Sequence, residues 1–179
     1  MNNVIEKFFK LVRLAKIYFY FTARPNGLNP IFWLRIFYQR TCLKKLQEQH
    51  ELFALIRRSQ QQSSSTGSDY SDYWTLYSHI RQRKPLDLLE CGSGISTIVI
   101  AYALKENFQE TGVKAHFISL EENEFYFNQI CSLMPSLLKG FVKLELKPRQ
   151  EKLYEGHLGS YYENIENREF DFMYIDGPT

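Results

Sequence analysis

Residues 85–98 read Pro-Leu-Asp-Leu-Leu-Glu-Cys-Gly-Ser-Gly-Ile-Ser-Thr-Ile, and the fold turns on this stretch. Pro85 breaks what precedes it, because proline removes a backbone donor and locks φ. Residues 86–91 then form a short, mostly apolar run, the pattern of a buried strand. Gly92, Ser93 and Gly94 make the turn. Beyond it Ile95, Ile98, Val99, Ala101, Tyr102 and Leu104 recur at helical spacing. Strand, glycine turn and helix form the first half of a βαβ unit. Glycines allow a tight turn and let a ligand approach the backbone. The helix that follows offers free N–H groups at its N-terminus.

The motif is not the dinucleotide fingerprint, which needs a third glycine where this chain has Thr97. It also carries an acid, Glu90, at the last inward position of the strand. A carboxylate there repels a pyrophosphate but suits a cationic or hydroxyl-bearing ligand. The competing reading is an ordinary βα turn that holds no ligand.

Downstream, residues 114–120 read as a second strand ending at Glu121 and Glu122. Glu121 is placed to accept hydrogen bonds from both hydroxyls of a ribose. Glu121, Glu122 and Glu124 also suit the N-terminus of the next helix, 122–134, through its dipole. Pro135 ends that helix. Residues 141–147 alternate apolar and polar side chains as a third strand, half exposed. Residues 148–169 are mostly polar, with His157, Tyr161 and Tyr162, and are expected to hold at most a short helix. Residues 170–175 form a fourth strand, apolar on both faces, that runs into Asp176, Gly177 and Pro178. Glu90, Gly92, Gly94, Glu121 and Asp176 therefore fall at the carboxyl ends of three parallel strands, where open α/β sheets bind ligands.

Upstream, residues 70–83 form an amphipathic helix with Tyr73, Leu76, Tyr77 and Ile80 on its apolar stripe. Tyr70 and Trp74 could overhang a site, though packing is the commoner use of such rings. His79 lies off the stripe and is expected at the surface, whereas His116, within the second strand, is expected in the core. Residues 59–68 are Ser/Gln-rich and read as a linker. Residues 1–58 form a basic aromatic helical region. Asn29 and Pro30 open a long helix that should run to about Arg58. Residues 1–60 hold eleven Lys/Arg against three Asp/Glu, and the remainder eleven against seventeen, so the basic segment has an anionic partner of its own or pairs with the acidic remainder. Within residues 3–22 the charges Lys7, Lys10, Arg13 and Lys16 interrupt the apolar run, which argues against a membrane span or a secretory signal. A basic aromatic helix at a membrane surface, or packed on a protein partner, remains. Cys42, Cys91 and Cys131 show no metal spacing and read as reduced thiols, so the expected home is the cytoplasm, peripheral at the inner membrane surface if residues 1–58 bind lipid. Nucleic-acid binding is the weaker partner reading, because no reading motif accompanies the basic residues.

Three segments taken together resemble a known family. Leu-Leu-Glu-Cys-Gly-Ser-Gly-Ile-Ser-Thr at 88–97, Ile-Ser-Leu-Glu at 118–121 and Phe-Asp-Phe-Met-Tyr-Ile-Asp-Gly-Pro at 170–178 look like motifs of class I S-adenosylmethionine-dependent methyltransferases, in order and in spacing. The likeness spans roughly residues 70–179. It implies a Rossmann-like α/β fold, with residues 69–179 as an S-adenosylmethionine-binding domain behind the helical N-terminal region. It also implies that Glu90 contacts the methionine end of the cofactor and that Gly92, Ser93 and Gly94 pass close to it. Glu121 would bind the ribose, and Asp176 would border the transferred methyl as the catalytic residue. In the catechol O-methyltransferase-like branch the residue matching Asp176 binds magnesium; the companion ligands would lie beyond Thr179, so magnesium is possible but no metal site is assigned. His157, Tyr161 and Tyr162 could line the acceptor side. The chain departs from the pattern at Ser96, where a third glycine is common, and at Lys147, Pro148 and Arg149 after the third strand. The family's sheet is larger than the four strands read here, so a C-terminally incomplete catalytic domain is expected, which puts turnover by the 179-residue chain in question. The expected activity is methyl transfer to an unidentified acceptor. The alternative is a non-catalytic, degenerate Rossmann-like module tethered by its basic helices to a membrane or a protein partner.

Overall fold

A computed structural model describes residues 30–63 and 69–175. The basic aromatic stretch 3–22, the Asn29 cap, residues 64–68 of the linker, and Asp176 with the three residues after it lie outside the described residues. The chain divides into two compact units, Met1–Thr41 and Cys42–Thr179. The division falls inside the first described helix, α1 (Pro30–Glu48).

In the first unit the described residues are the N-terminal part of α1, where the Thr41 hydroxyl donates to the Phe37 carbonyl at 2.9 Å. In the second unit α1 ends at Glu48, and α2 (His50–Gln62) begins after a break at Gln49, whose φ of −89° and ψ of 71° leave the helical region. The sequence reading expected one helix to about Arg58. No glycine or proline marks the break. It turns Leu52 and Ile56 toward the same core as Leu46, and the Glu51 carboxylate accepts from the Tyr102 hydroxyl at 2.9 Å. Residues 59–62, read as the start of the linker, continue α2, and Ser59 is buried there.

Helix α3 (Tyr70–Arg83) starts at Asp69, whose side chain accepts from the Ser71 and Asp72 N–H groups while Asp72 reaches back to the Asp69 N–H. This reciprocal cap fixes the helix start. Its stripe of Tyr73, Leu76, Tyr77 and Ile80 is buried as its spacing predicts. Strand β1 (Asp87–Cys91) leads to α4 (Ile95–Thr111), which ends at Gly112 with φ of 70°, the left-handed cap glycine favours. Every residue from 95 to 104 is buried, because α4 lies between the sheet and helices α2 and α3. Strand β2 (His116–Glu121), helix α5 (Glu124–Leu133), a 3-10 turn at Lys139–Phe141 and strand β3 (Lys143–Leu146) follow.

The connection from β3 to the last strand is a β-hairpin, not a loop with a short helix. Strands β4 (Arg149–Tyr154) and β5 (His157–Tyr162) pair antiparallel, with Tyr154 opposite His157. The two turn residues, Glu155 and Gly156, have φ of 49° and 83°. Positive φ at both positions is the primed turn whose twist matches two joined strands. The Glu-Gly pair was the available sequence signal, obscured because the flanking strands are polar. Strand β6 (Phe172–Ile175) closes the sheet in the order β3-β2-β1-β6, all parallel. This is the half-sheet order of a Rossmann-like α/β fold.

The two sheet faces differ. Leu88 and Phe117 face the large core beneath α2, α3 and α4. Leu89, Ile118 and Leu120 face a smaller cluster covered by Tyr162, Ile165 and Phe170. At the amino-terminal edge the Asp171 carboxylate accepts from the Leu86 and Asp87 N–H groups at 2.9 and 3.1 Å. His116, expected in the core, sits half-exposed at this edge, 3.4 Å from Glu166 Oε2. His79, expected at the surface, is half-buried against the Phe172 ring at 5.8 Å, and burial, helped by Arg83, lowers its pKa. Met173 and Ile175 of β6 are exposed, so the apolar character of this strand is covered on one face only among the described residues. Among the described residues no helix is long and apolar enough to cross a membrane.

Candidate functional site

Strands β1 and β2 run parallel with Glu90 opposite Ser119 and Cys91 opposite Leu120. Their carboxyl ends carry both acids singled out from the sequence. Glu90 is fully buried. Its Oε2 accepts from the Thr97 hydroxyl at 2.6 Å and the Ser119 hydroxyl at 2.6 Å. The Thr97 hydroxyl in turn accepts from the Gly94 N–H at 2.9 Å. Thr97 thus closes the first turn of α4 onto the end of β1, a task the glycine of a dinucleotide motif could not perform. Sequence reading weighed Thr97 only as a missing glycine and did not single out Ser119. The signal available for Thr97 was its place three residues into the helix, the reciprocal position of a cap.

The turn itself is built from both glycines for different reasons. Gly92 has φ of 92°, where a Cβ is strained. Gly94 is extended, with φ of −172°, and among the described residues a Cβ built there meets only the Ser96 hydroxyl, at 3.9 Å. The described residues therefore leave room for a side chain at Gly94 and do not themselves call for glycine.

Glu121 is buried at the end of β2 and links the two strand ends. Its Oε2 accepts from the Ser93 N–H at 2.9 Å and the Ser93 hydroxyl at 3.1 Å. Its Oε1 accepts from the Glu122 and Asn123 N–H groups, each at 3.0 Å. The capping of α5 falls to Asn123, whose side chain accepts from the Phe125 N–H. Glu90, Gly92, Ser93, Gly94 and Glu121 are thus gathered at one edge. Asp176 lies outside the described residues, while Ile175, the residue before it, stands opposite Cys91 in the pairing of β6 with β1.

The acceptor carboxylates of this edge suit a ligand with hydroxyl or cationic groups. Two carboxylates stand one strand apart, and of the four donors on Glu121 the Ser93 hydroxyl is the one on a side chain, the other three being backbone N–H groups. Burial, with Glu90 second, raises the Cys91 thiol pKa, which keeps it protonated. Among the described residues no group of three or more His, Cys, Asp or Glu side chains is placed to hold a metal ion.

Other residues weighed from the sequence lie elsewhere. Trp74 packs on Tyr77 and under the Lys45 ammonium, and Tyr70 packs on Phe53. Both serve the packing of α3. His157 and Tyr161 lie on the hairpin, exposed, with Tyr161 donating to Gln150. Tyr162 alone of that group reaches the sheet. A groove of ≈ 560 Å³ between Arg58 and Gln62 of α2 and Phe125, Asn128 and Ser132 of α5 touches none of the residues at the strand ends. No protein-family model matches this chain, and no curated protein matches it.

Proposed function

We propose that this protein binds S-adenosylmethionine at the carboxyl ends of β1 and β2 and acts as a class I methyltransferase on an acceptor not yet identified. The observation that carries the reading is the meeting of Glu90, the turn at 92–94 and Glu121 at one edge of a parallel sheet. The space that the described residues leave open at Gly94 supports it, since a glycine they do not require is explained by a ligand passing close to the backbone. When bound, the cofactor supplies an electrophilic methyl group on a sulfonium. Glu121 accepts hydrogen bonds from the ribose, taking the place of the Ser93 hydroxyl. Glu90, anchored by Thr97 and Ser119, would serve the amino-acid end. Asp176 is assigned as the residue that borders the acceptor and takes its proton where one must leave. Methyl transfer depends chiefly on alignment, so the task of these residues is to orient.

Calorimetric titration with S-adenosylmethionine and S-adenosylhomocysteine tests the reading. The chain should bind both, and Glu121→Ala should lose about 1–3 kcal/mol of binding, the scale of a hydrogen bond to a charged group. A folded chain that binds neither at millimolar concentration refutes it.

A second reading has an observation of its own. Glu121 accepts four hydrogen bonds from Ser93, Glu122 and Asn123, and Glu90 accepts from Thr97 and Ser119, so both acids already have a structural task. On that reading the domain is a non-catalytic Rossmann-like module carried to a membrane or a protein partner by residues 1–58. Absence of cofactor binding together with an intact fold favours it.

A further inference from the structure

The β4–β5 hairpin stands where the other two crossovers of the sheet carry a helix. It is attached to the sheet through its stem. Arg149 and Tyr162 are the paired residues that close the stem. Arg149 Nε lies 3.2 Å from Glu122 Oε2, just past the end of β2. Tyr162 packs on Leu89, Ile118 and Leu120, beside Cys91. The Lys147 N–H donates to the Glu121 carbonyl at 2.8 Å, which brings the exit of β3 to the same edge. The stem therefore stands at the carboxyl ends of β1 and β2, beside the residues assigned to the cofactor.

The chemistry of this stem is specific. Tyr162 is half-buried, and burial, followed by the nearby Cys91, Glu122 and Glu121, pushes its phenol up to about 12, so it stays neutral and keeps a hydrogen to donate. Arg149 is paired to Glu122, which holds its planar guanidinium in place. A fixed aromatic ring beside a fixed guanidinium offers flat, polarisable surface to a heteroaromatic ring. The neighbouring carboxylates Glu121 and Glu122 disfavour an anionic ligand at the same point. A neutral nucleoside satisfies both conditions.

We infer that Tyr162, set in place by the hairpin stem and the Arg149–Glu122 pair, binds the adenosyl half of the cofactor, its ring stacked on the base. This rests on the S-adenosylmethionine reading of the same edge. It gives the hairpin a role in cofactor binding, in place of a role in holding the methyl acceptor.

Adenosine and S-adenosylhomocysteine, titrated calorimetrically into the full chain and its variants, test the inference. Tyr162→Phe keeps the ring and should bind both ligands within about 3-fold of wild type, whereas Tyr162→Leu, which fills the apolar cluster without a π-face, should weaken both by about 10-fold or more. Far-UV circular dichroism and the melting temperature check that the Leu variant is folded. Tyr162→Trp adds a second readout, because a stacked indole should lose fluorescence when adenosine binds. If wild type binds both ligands and Tyr162→Leu binds them equally well, the inference fails and the cofactor reading stands. Weakening confined to S-adenosylhomocysteine also overturns it, since the lost contact is then to the amino-acid half. If wild type binds neither ligand, the cofactor reading fails and takes this inference with it. An unquenched Tyr162→Trp that still binds adenosine excludes stacking.

Discussion

Replacing Glu121 by glutamine keeps the shape of the side chain and exchanges one oxygen for an NH2 group. The wild-type carboxylate accepts four hydrogen bonds: two from Ser93, at 2.9 and 3.1 Å, and two from the Glu122 and Asn123 N–H groups, each at 3.0 Å. An amide oxygen can serve one of those pairs. Facing Glu122 and Asn123, it keeps both backbone donors, and the NH2 then meets Ser93. The Ser93 hydroxyl can rotate to accept from that NH2, but the Ser93 N–H is left pointing at a donor. One part-buried donor loses its acceptor, and the remaining bonds lose their charge, so Glu121→Gln should cost about 2 kcal/mol. Glu121→Ala, which removes the acceptor from all four donors, should cost more. Urea denaturation followed by far-UV circular dichroism reads the difference, and about 2 kcal/mol should appear as a melting temperature lower by roughly 4–8 °C for a chain of this size. A glutamine variant within about 0.5 kcal/mol of wild type, the range of an ordinary surface substitution, refutes the reasoning. It would mean that the four bonds are not held together in solution, and that Glu121 does not join the ends of β1 and β2.

Gly94→Ala should leave the melting temperature within a few degrees of wild type, because among the described residues its Cβ meets only the Ser96 hydroxyl at 3.9 Å, while reducing S-adenosylhomocysteine binding in calorimetry. Equal binding would assign the glycine to chance. Glu110 is held down to about 2 by hydrogen bonds from Arg81 and Lys84, against an ordinary 4.5. Its folded pKa is depressed, so the stability it contributes is present above pH 4.5 and is lost as pH falls toward 2. Glu110→Gln should therefore flatten the fall in urea stability across that window, and an unchanged slope would remove the α3–α4 ion pairs from the account. Deleting residues 1–58 should unfold the α/β unit, because Leu46, Leu52 and Ile56 lie in its core, and circular dichroism of the truncated chain reads this directly. For the membrane reading, the full chain should sediment with anionic vesicles at low salt, and a chain lacking residues 1–29 should not. Equal sedimentation of the two would place any lipid contact elsewhere.

Local signals were enough for the strand ends. Residues 85–98 carry a proline, an apolar run and two glycines, and each acts within a few residues of itself. The positions of Glu90, Gly94 and Glu121 at the carboxyl ends of β1 and β2 follow from that local grammar together with the parallel crossover that a helix between two buried strands imposes. The stripe of α3 was legible for the same reason. One face of that helix is buried and the other is not, so its period survives in the sequence.

Partners distant along the chain set what the sequence left undecided. Gln49 breaks a helix without glycine or proline, and the side chains at and just after the break, Gln49 and Glu51, accept from Tyr77 of α3 and Tyr102 of α4. The hairpin at 149–162 has polar strands, so no alternation announced it, and its stem is held by Glu122 and by the far face of the sheet. His79 and His116 exchanged their expected environments because a strand end and a helix side are buried or exposed by what packs on them, Phe172 for one and the Asp87–Glu166 edge for the other. By itself the sequence determined which residues of this protein stand at the carboxyl ends of its strands, because turns and hydrophobic runs act locally. Only the tertiary structure decided how those residues are held: Glu90 by Thr97 and Ser119, Glu121 by Ser93. A hydrogen bond between side chains that lie 7 to 29 residues apart leaves no periodic trace in the chain that makes it.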